Sequence, residues 1–461
     1  MCHHQRKISL LISCLLSALF CAAQLKPVYQ FQEDDTLLKR KYFNEALLKK
    51  KQMVSEITTN SKDYKAAYEN MFSTVEDLLI SSRSVTEHQA NDYIKAIVNR
   101  IIQANPELKS LESRVVFSRD FSPNAYSIGD GTIAFNAGLF VYLDNEAEMA
   151  FTLCHELAHY YLNHSKKRID NVIRIANSDS LKREVKKLSK QEYNVGEQAD
   201  KLFKSLLFDI HKHSRDGEEE ADRVGLQFYQ QTGYNGQGFI GLMKLLDKVD
   251  DTSMFSKLNL KATFSFPGST FKERWIKKET AIFSALNPEE ASNLTKKERD
   301  SLKTHPDCER RIELLKDAAT AINGKDFIVN EELFNKLKTD FIPEILNEVY
   351  HDDNISFNLY LSLQMLQEGK YVPLAIFSIS RDLNLIYKSQ KEHKLGLYVD
   401  SENRRYPEAY NDLLRMLAKI RLDEIPELNV AFCQYYKEQM SGYDGFQKQL
   451  NQAIIYKDQN K

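Results

Sequence analysis

The chain has 461 residues, enough for two or three domains, each with a full core. Lys plus Arg (63) and Asp plus Glu (65) nearly cancel, so no global field recruits nucleic acid or an acidic substrate. Gly (16) and Pro (10) are scarce for this length, which favours helices joined by short turns over a sandwich or barrel. The expected fold is mainly α with a small β-sheet (α+β).

Residues 1–23 read as an export signal. Arg6 and Lys7 end a basic stretch, Ile8 to Phe20 is apolar but short for a membrane span, and Cys21-Ala22-Ala23 offers small residues for cleavage before Gln24. Two rival readings are a retained N-terminal anchor and a lipoprotein box at Leu11-Ile12-Ser13-Cys14. Cleavage would leave Cys154, Cys308 and Cys433, an odd set without metal-type spacing, so no disulfide framework is expected.

Residues 24–84 form a helical scaffold in this reading, with amphipathic runs at Leu37 to Ile57 and Ala66 to Ile80. A further helix spans Val85 to Ala104, capped by Thr86 and stopped before Pro106. Arg114 to Ser118 and Thr132 to Asn136 read as strands, and Gly129-Asp130-Gly131 marks a turn before the second. An exposed strand edge here would suit an extended peptide, held by main-chain hydrogen bonds along Thr132–Asn136.

Next comes Phe151 to His164, FTLCHELAHYYLNH. His155 and His159 are four apart, so a helix stacks both imidazoles on one face, where they can hold one zinc ion. Glu156 adjoins the first of them and can reach a water there. Asn145 can cap this helix, with Glu146 and Glu148 in its first turn. Ser165 to Ser214 is polar and helical, with room for a mobile cover and a basic His211-Lys212-His213. Glu218, Glu219, Glu220 and Asp222 open a second helix. A third ligand and a carboxylate that orients a ligand histidine belong in a catalytic zinc site, but spacing leaves open which of the three glutamates faces it. Thr304-His305-Pro306 precedes another helix, where His305 is a candidate ligand, oxyanion donor or turn residue. Residues 321–461 carry helices without a clean repeat and read as an accessory domain: Phe327 to Lys338, Ile345 to Tyr350, Ser356 to Gln367, Pro373 to Tyr387, Tyr406 to Lys419 and Ile425 to Lys437.

Several motifs together resemble one family. They are Asn124-Ala125-Tyr126, the glycine turn, Ala137-Gly138-Leu139, Asn145 through Glu148, the His155–His159 helix, and Glu218 through Asp222 with Gly225. Ser214-Arg215, His305-Pro306 and Arg310-Arg311 also fit its layout. The family is the gluzincin metallopeptidase group of the HtpX, Oma and CAAX prenyl protease type, and the resemblance covers residues 85–320. It implies one Zn²⁺ per chain held by His155, His159 and Glu218, with Glu156 as general base. It implies Asp222 as the aspartate that orients a ligand histidine, and His305 as a possible aid to the oxyanion. The implied activity is a zinc endopeptidase acting on extended or unfolded segments of exported or envelope proteins, in the manner of quality control. The chain lacks the several spans of the integral-membrane members and looks like an exported, soluble branch. The C-terminal helices would then offer a surface to the membrane or an envelope partner. The other reading is a chaperone-like envelope protein with a silent zinc site.

Overall fold

The computed structural model describes residues 25–189, 215–250, 258–278, 308–403 and 406–460. The expected leader (1–23), the His211–His213 pair and His305 lie outside them. In chain order the elements begin with α1 (Thr36–Ser55), α2 (Ser61–Ile80), β1 (Ser84–Val85), α3 (His88–Ala104), β2 (Arg114–Ser118), β3 (Ala125–Ser127), β4 (Thr132–Asn136) and α4 (Ala137–Phe140). Then come α5 (Glu146–Tyr161), α6 (His164–Ala176), α7 (Asp179–Leu188), α8 (215–230), α9 (Gln237–Asp250) and α10 (Leu260–Thr263). The rest are α11 (Cys308–Thr320), α12 (Glu331–His351), α13 (Ile355–Gln367), α14 (Val372–Lys391), α15 (Glu408–Lys419), α16 (Glu424–Tyr436) and α17 (Phe446–Asp458). Among the described residues the protein is mainly α with one small sheet, as the composition suggests. No helix among the described residues is long and apolar enough to cross a membrane.

The elements fall into two compact units. One takes its described residues from Phe31–Phe255 and Thr280–Val349, the other from Met1–Gln30, Ser256–Glu279 and Tyr350–Lys461. The first unit contains the sheet, ordered β1-β2-β4-β3. β2 and β4 run parallel, while β1 on β2 and β3 on β4 are antiparallel. β2 and β4 have the bounds their apolar, β-branched sequences predict. Their roles differ from expectation, however. Thr132–Asn136 is flanked on both sides and has no free edge; the edge strand is β3, Ala125–Ser127. The reason is that the chain leaves β2 and returns to pair β4 in parallel beside it, so the short hairpin partner is left outside. Gly129 and Gly131 adopt φ of +112° and +97°, which side chains rarely tolerate, and make the tight β3–β4 turn. Asp130, buried in that turn, accepts from the Thr132 amide (2.9 Å) and pairs with Arg114 (2.9 Å).

One apolar core lies between α1, α2 and the sheet, built on Tyr42, Tyr68, Phe72, Val75, Leu79, Val116 and Ala134. A second is aromatic: Phe117 meets Phe140 and Phe341 edge-on at 5.1 and 4.9 Å. The cap of α3 is Glu87 rather than Thr86, whose amide is instead taken by Asp34 at 2.8 Å. The start of α5 is fixed twice. Asn145 caps it through the Glu148 amide (3.0 Å), a contact of about 1 kcal/mol in general. Glu146 is fully buried and accepts from Tyr93 and Tyr234 hydroxyls and from the amides of Ile328, Val329 and Asn330. Five donors on one carboxylate offset its desolvation and tie the helix entry to the segment before α12.

The predicted helices Phe327–Lys338 and Ile345–Tyr350 are one helix, α12, with Pro343 inside it. Phe334, Leu337, Phe341, Leu346 and Val349 are buried along it, and that packing carries the helix past the lost amide. In the second unit α14 packs beside α13, α16 and α17, and α17 is a helix the sequence reading did not foresee. There Lys272, Arg274 and Trp275 converge on the buried Glu424 carboxylate. Cys154, Cys308 and Cys433 are buried and form no disulfide.

Candidate active site

The helix α5 delivers its chemistry because its fixed N-terminus and its apolar side set the rotation. Phe151 stacks edge-on against Tyr229 of α8 and Phe239 of α9, at 5.7 and 4.9 Å. One turn on, His155 and His159 project together, with their Nε2 atoms 3.0 Å apart. Glu218 reaches them from α8, its carboxylate oxygens 3.4 Å from His155 Nε2 and 3.3 Å from His159 Nε2. The close approach of α8 is permitted by Gly225, where a Cβ would stand only 3.0 Å from His155 Cα.

Of the three adjacent glutamates, only Glu218 joins the histidines. Glu219 pairs with Arg310 at 3.0 Å, and Glu220 turns to His164 at 3.0 Å. This is the choice that linear spacing left open. It follows from helical rotation, since successive side chains on α8 point about 100° apart.

Three donors of this kind fit a zinc ion. Nitrogen and oxygen ligands about 2.0 Å from a tetrahedral zinc lie about 3.3 Å from one another, close to the spacings observed. His155, His159 and Glu218 form the set of potential metal-holding groups found among the described residues. The electrostatics also suit a cation. Burial alone would raise the Glu218 carboxyl, yet the two histidines hold it well below the usual range. Burial pulls His155 down, but Asp222 and Glu218 together push it up to about 10.

Each histidine has an outer partner. His155 Nδ1 lies 2.9 Å from Asp222 Oδ1. Arg311 of α11 donates to both Asp222 oxygens, at 2.5 and 2.7 Å, with both side chains buried. Burial would raise the Asp222 carboxyl, but Arg311 and then His155 keep it below its ordinary value. His159 Nδ1 lies 2.9 Å from His164 Nδ1, and His164 Nε2 lies 3.0 Å from Glu220 Oε2. Burial pulls the His164 imidazole below its usual range despite Glu220.

Glu156 stands beside this cluster, with Oε1 4.0 Å from His155 Nε2. Burial raises its carboxyl, more than the two histidines and a hydrogen bond from the Ser127 amide lower it. A carboxylate poised upward in this way suits proton transfer. The Ser127 contact also ties the outer edge of β3 to Glu156. The ladder bonds at Asn124 and Ile128 put the outward-facing amides and carbonyls on Ala125 and Ser127. Beside them opens a cavity of about 990 Å³ lined by Tyr126, Met71, Leu242, Met243, Leu246 and the histidine cluster.

The structure thus brings together His155, Glu156, His159, Glu218 and Asp222; His305 lies outside the described residues. The sequence reading missed His164 altogether and noted Arg311 only as part of a layout. His164 is five residues past His159, off the helical i+4 spacing. It returns to the cluster because Asn163, in the left-handed region (φ +56°), ends one helix and starts the next.

Comparison with known proteins places the chain in a family. Residues 88–319, just over half of the chain, match the model of the family described as "Peptidase family M48". The chain is 23% identical over 184 residues to a "Beta-barrel assembly-enhancing protease" of Yersinia pestis, covering 39% of this chain and 37% of that protein. It is 24% identical over 178 residues to the protein of the same name in Escherichia coli K12, covering 38% and 36%. A "Putative beta-barrel assembly-enhancing protease" of Vibrio cholerae is 24% identical over 151 residues, covering 32% and 30%. The matched stretch therefore spans only 30–37% of the length of these relatives. With its paired helical histidines, the glutamate that meets them from α8 and the family match across both, the chain belongs to peptidase family M48.

Proposed function

We propose that the chain is a zinc-dependent metalloendopeptidase that cleaves extended or unfolded segments of exported or envelope proteins. The single observation that carries this reading is the convergence of His155, His159 and Glu218 at tetrahedral spacing with Glu156 beside them. His155, His159 and Glu218 would hold one zinc ion. When bound, zinc supplies Lewis acidity, polarising a carbonyl and acidifying water. Glu156 accepts the proton of the attacking water and passes it to the leaving amine. Asp222 holds the His155 ring by Nδ1, and Arg311 holds Asp222. An extended peptide would pair with the outward groups of Ala125 on β3, with its side chains in the adjoining cavity. The names of the relatives refer to β-barrel assembly, and the apolar leader before Gln24 would export the chain. On these grounds we assign it to quality control in the cell envelope, with the C-terminal helices available to an envelope or membrane-surface partner.

The test is the Glu156→Gln variant of the full chain. It should bind one zinc ion per chain as tightly as the wild type and lose nearly all hydrolysis of an unfolded protein such as casein. Wild-type cleavage by this variant, or cleavage that survives a strong chelator, would remove the assignment.

A further inference from the structure

The two histidines of the centre are not held in the same way. His155 meets a carboxylate directly, through Asp222. Among the described residues, His159 meets no carboxylate on its outer side; its Nδ1 faces another imidazole, His164, which in turn faces Glu220. The protonation pattern follows from the donor inventory. A carboxylate only accepts, so the His164 Nε2–H donates to Glu220 Oε2. A neutral His164 then carries a lone pair on Nδ1, and that lone pair accepts from His159 Nδ1–H. His159 is left with its own lone pair on Nε2, the atom that faces His155 and Glu218. Any other tautomer of His159 would place a proton where a ligand pair is needed.

We propose that His164 and Glu220 form a relay that fixes the ring and tautomer of His159, as Asp222 and Arg311 do for His155, and that His164 is a positioning residue and not a ligand. This rests on the zinc reading given above. The geometry separates the two roles: His164 touches the far side of the His159 ring, at Nδ1, while the centre lies at Nε2. The relay also explains the helix break at Asn163, which brings α6 back over the end of α5 and places His164 against His159. Its outer end is more open than Asp222, with the Glu220 side chain 42% exposed against 1%. Removing Glu220 should therefore cost less than removing His164.

The experiment measures zinc affinity of the full chain by chelator competition for His164→Phe, His164→Asn and Glu220→Gln, with far-UV dichroism as a folding check. An outer partner of a metal-bound histidine is generally worth 10–100-fold in affinity. His164→Phe should lose about that much. His164→Asn keeps an acceptor near the Nδ1 position and should recover most of it, and Glu220→Gln should lose only several-fold. In the cobalt-substituted protein, the exchangeable imidazole N–H signal of His159 should move in Glu220→Gln while that of His155 stays. Wild-type affinity in a folded His164→Phe overturns the relay and leaves the zinc centre standing. Equal losses in His164→Phe and His164→Asn overturn it too, since packing would then explain the effect. If the wild type binds no zinc, or if His155→Ala leaves its binding unchanged, the zinc reading itself fails and takes the relay with it.

Discussion

Arg311 and Asp222 form a two-pronged ion pair between α11 and α8, about 89 residues apart in sequence and almost wholly removed from solvent. The pair does two things at once. It keeps a carboxylate charged beside His155, and it pins α11 to the helix that carries Glu218, with Arg311 Nη2 a further 3.5 Å from that glutamate. Breaking a buried pair from one side leaves an uncompensated charge and costs about 3–5 kcal/mol. Arg311→Ala should therefore lower the unfolding free energy by about that amount. Asp222→Asn keeps the shape and loses the charge, so it should weaken zinc by about 10–100-fold. Urea unfolding and chelator competition measure the two effects separately. A stable Arg311→Ala protein would show that the pair does not hold α11.

A second prediction concerns the outer edge of β3. The outward amide of Ala125 is the donor that an extended peptide would use, and Ser127 already gives its own to Glu156. Proline is tolerated on edge strands but donates nothing. Ala125→Pro should lower kcat/KM for an unfolded substrate by about fivefold, the worth of one hydrogen bond of ~1 kcal/mol, with zinc content unchanged. Unaltered kinetics would mean that substrates do not pair along this strand.

Much of this centre can be read from the chain because it depends on local periodicity. The i, i+4 relation of His155 and His159, the Asn145 cap and the strands at Arg114–Ser118 and Thr132–Asn136 each follow from a few adjacent residues. What escaped the reading depends on long-range pairing. Whether Thr132–Asn136 is an edge is decided by β2, which pairs with it in parallel from the other side. The return of His164 to the cluster is decided by Glu220 on α8, and the continuity of α12 through Pro343 by the packing around Phe341 and Leu346. No spacing rule reports any of these, because each is set by a neighbour distant in sequence.

Gly225 gives the third prediction. A methyl group there would stand 3.0 Å from His155 Cα, 3.1 Å from His155 N and 3.3 Å from Cys154 C, all backbone atoms that cannot rotate away. Gly225→Ala must push α8 from α5 and spread the Glu218 carboxylate from the imidazoles. Overpacking of this kind costs about 1–3 kcal/mol. The variant should unfold at lower urea and bind zinc more weakly than wild type. Unchanged zinc affinity would show that Glu218 can follow the histidines independently of its helix.

The last prediction lies in the second unit. Asp382 is fully buried on α14, with Arg381 Nε the charge beside it at 3.5 Å, beyond a good hydrogen bond. Burial pushes its carboxyl up to about 7, more than Arg381 lowers it. An unfolded aspartate titrates near 3.9. Between those values the folded chain keeps the Asp382 proton and the unfolded chain has lost it. The stability that this difference contributes is complete below about pH 4 and is lost as the pH rises through about 7. At about 1.4 kcal/mol per unit, the loss over that window is roughly 4 kcal/mol. Asp382→Asn removes the titration and keeps the size. Urea unfolding at pH 5 and pH 8 should therefore show the variant losing less stability than wild type across the interval. Equal losses in the two proteins would mean that Asp382 ionises in the folded chain as it does in the unfolded one.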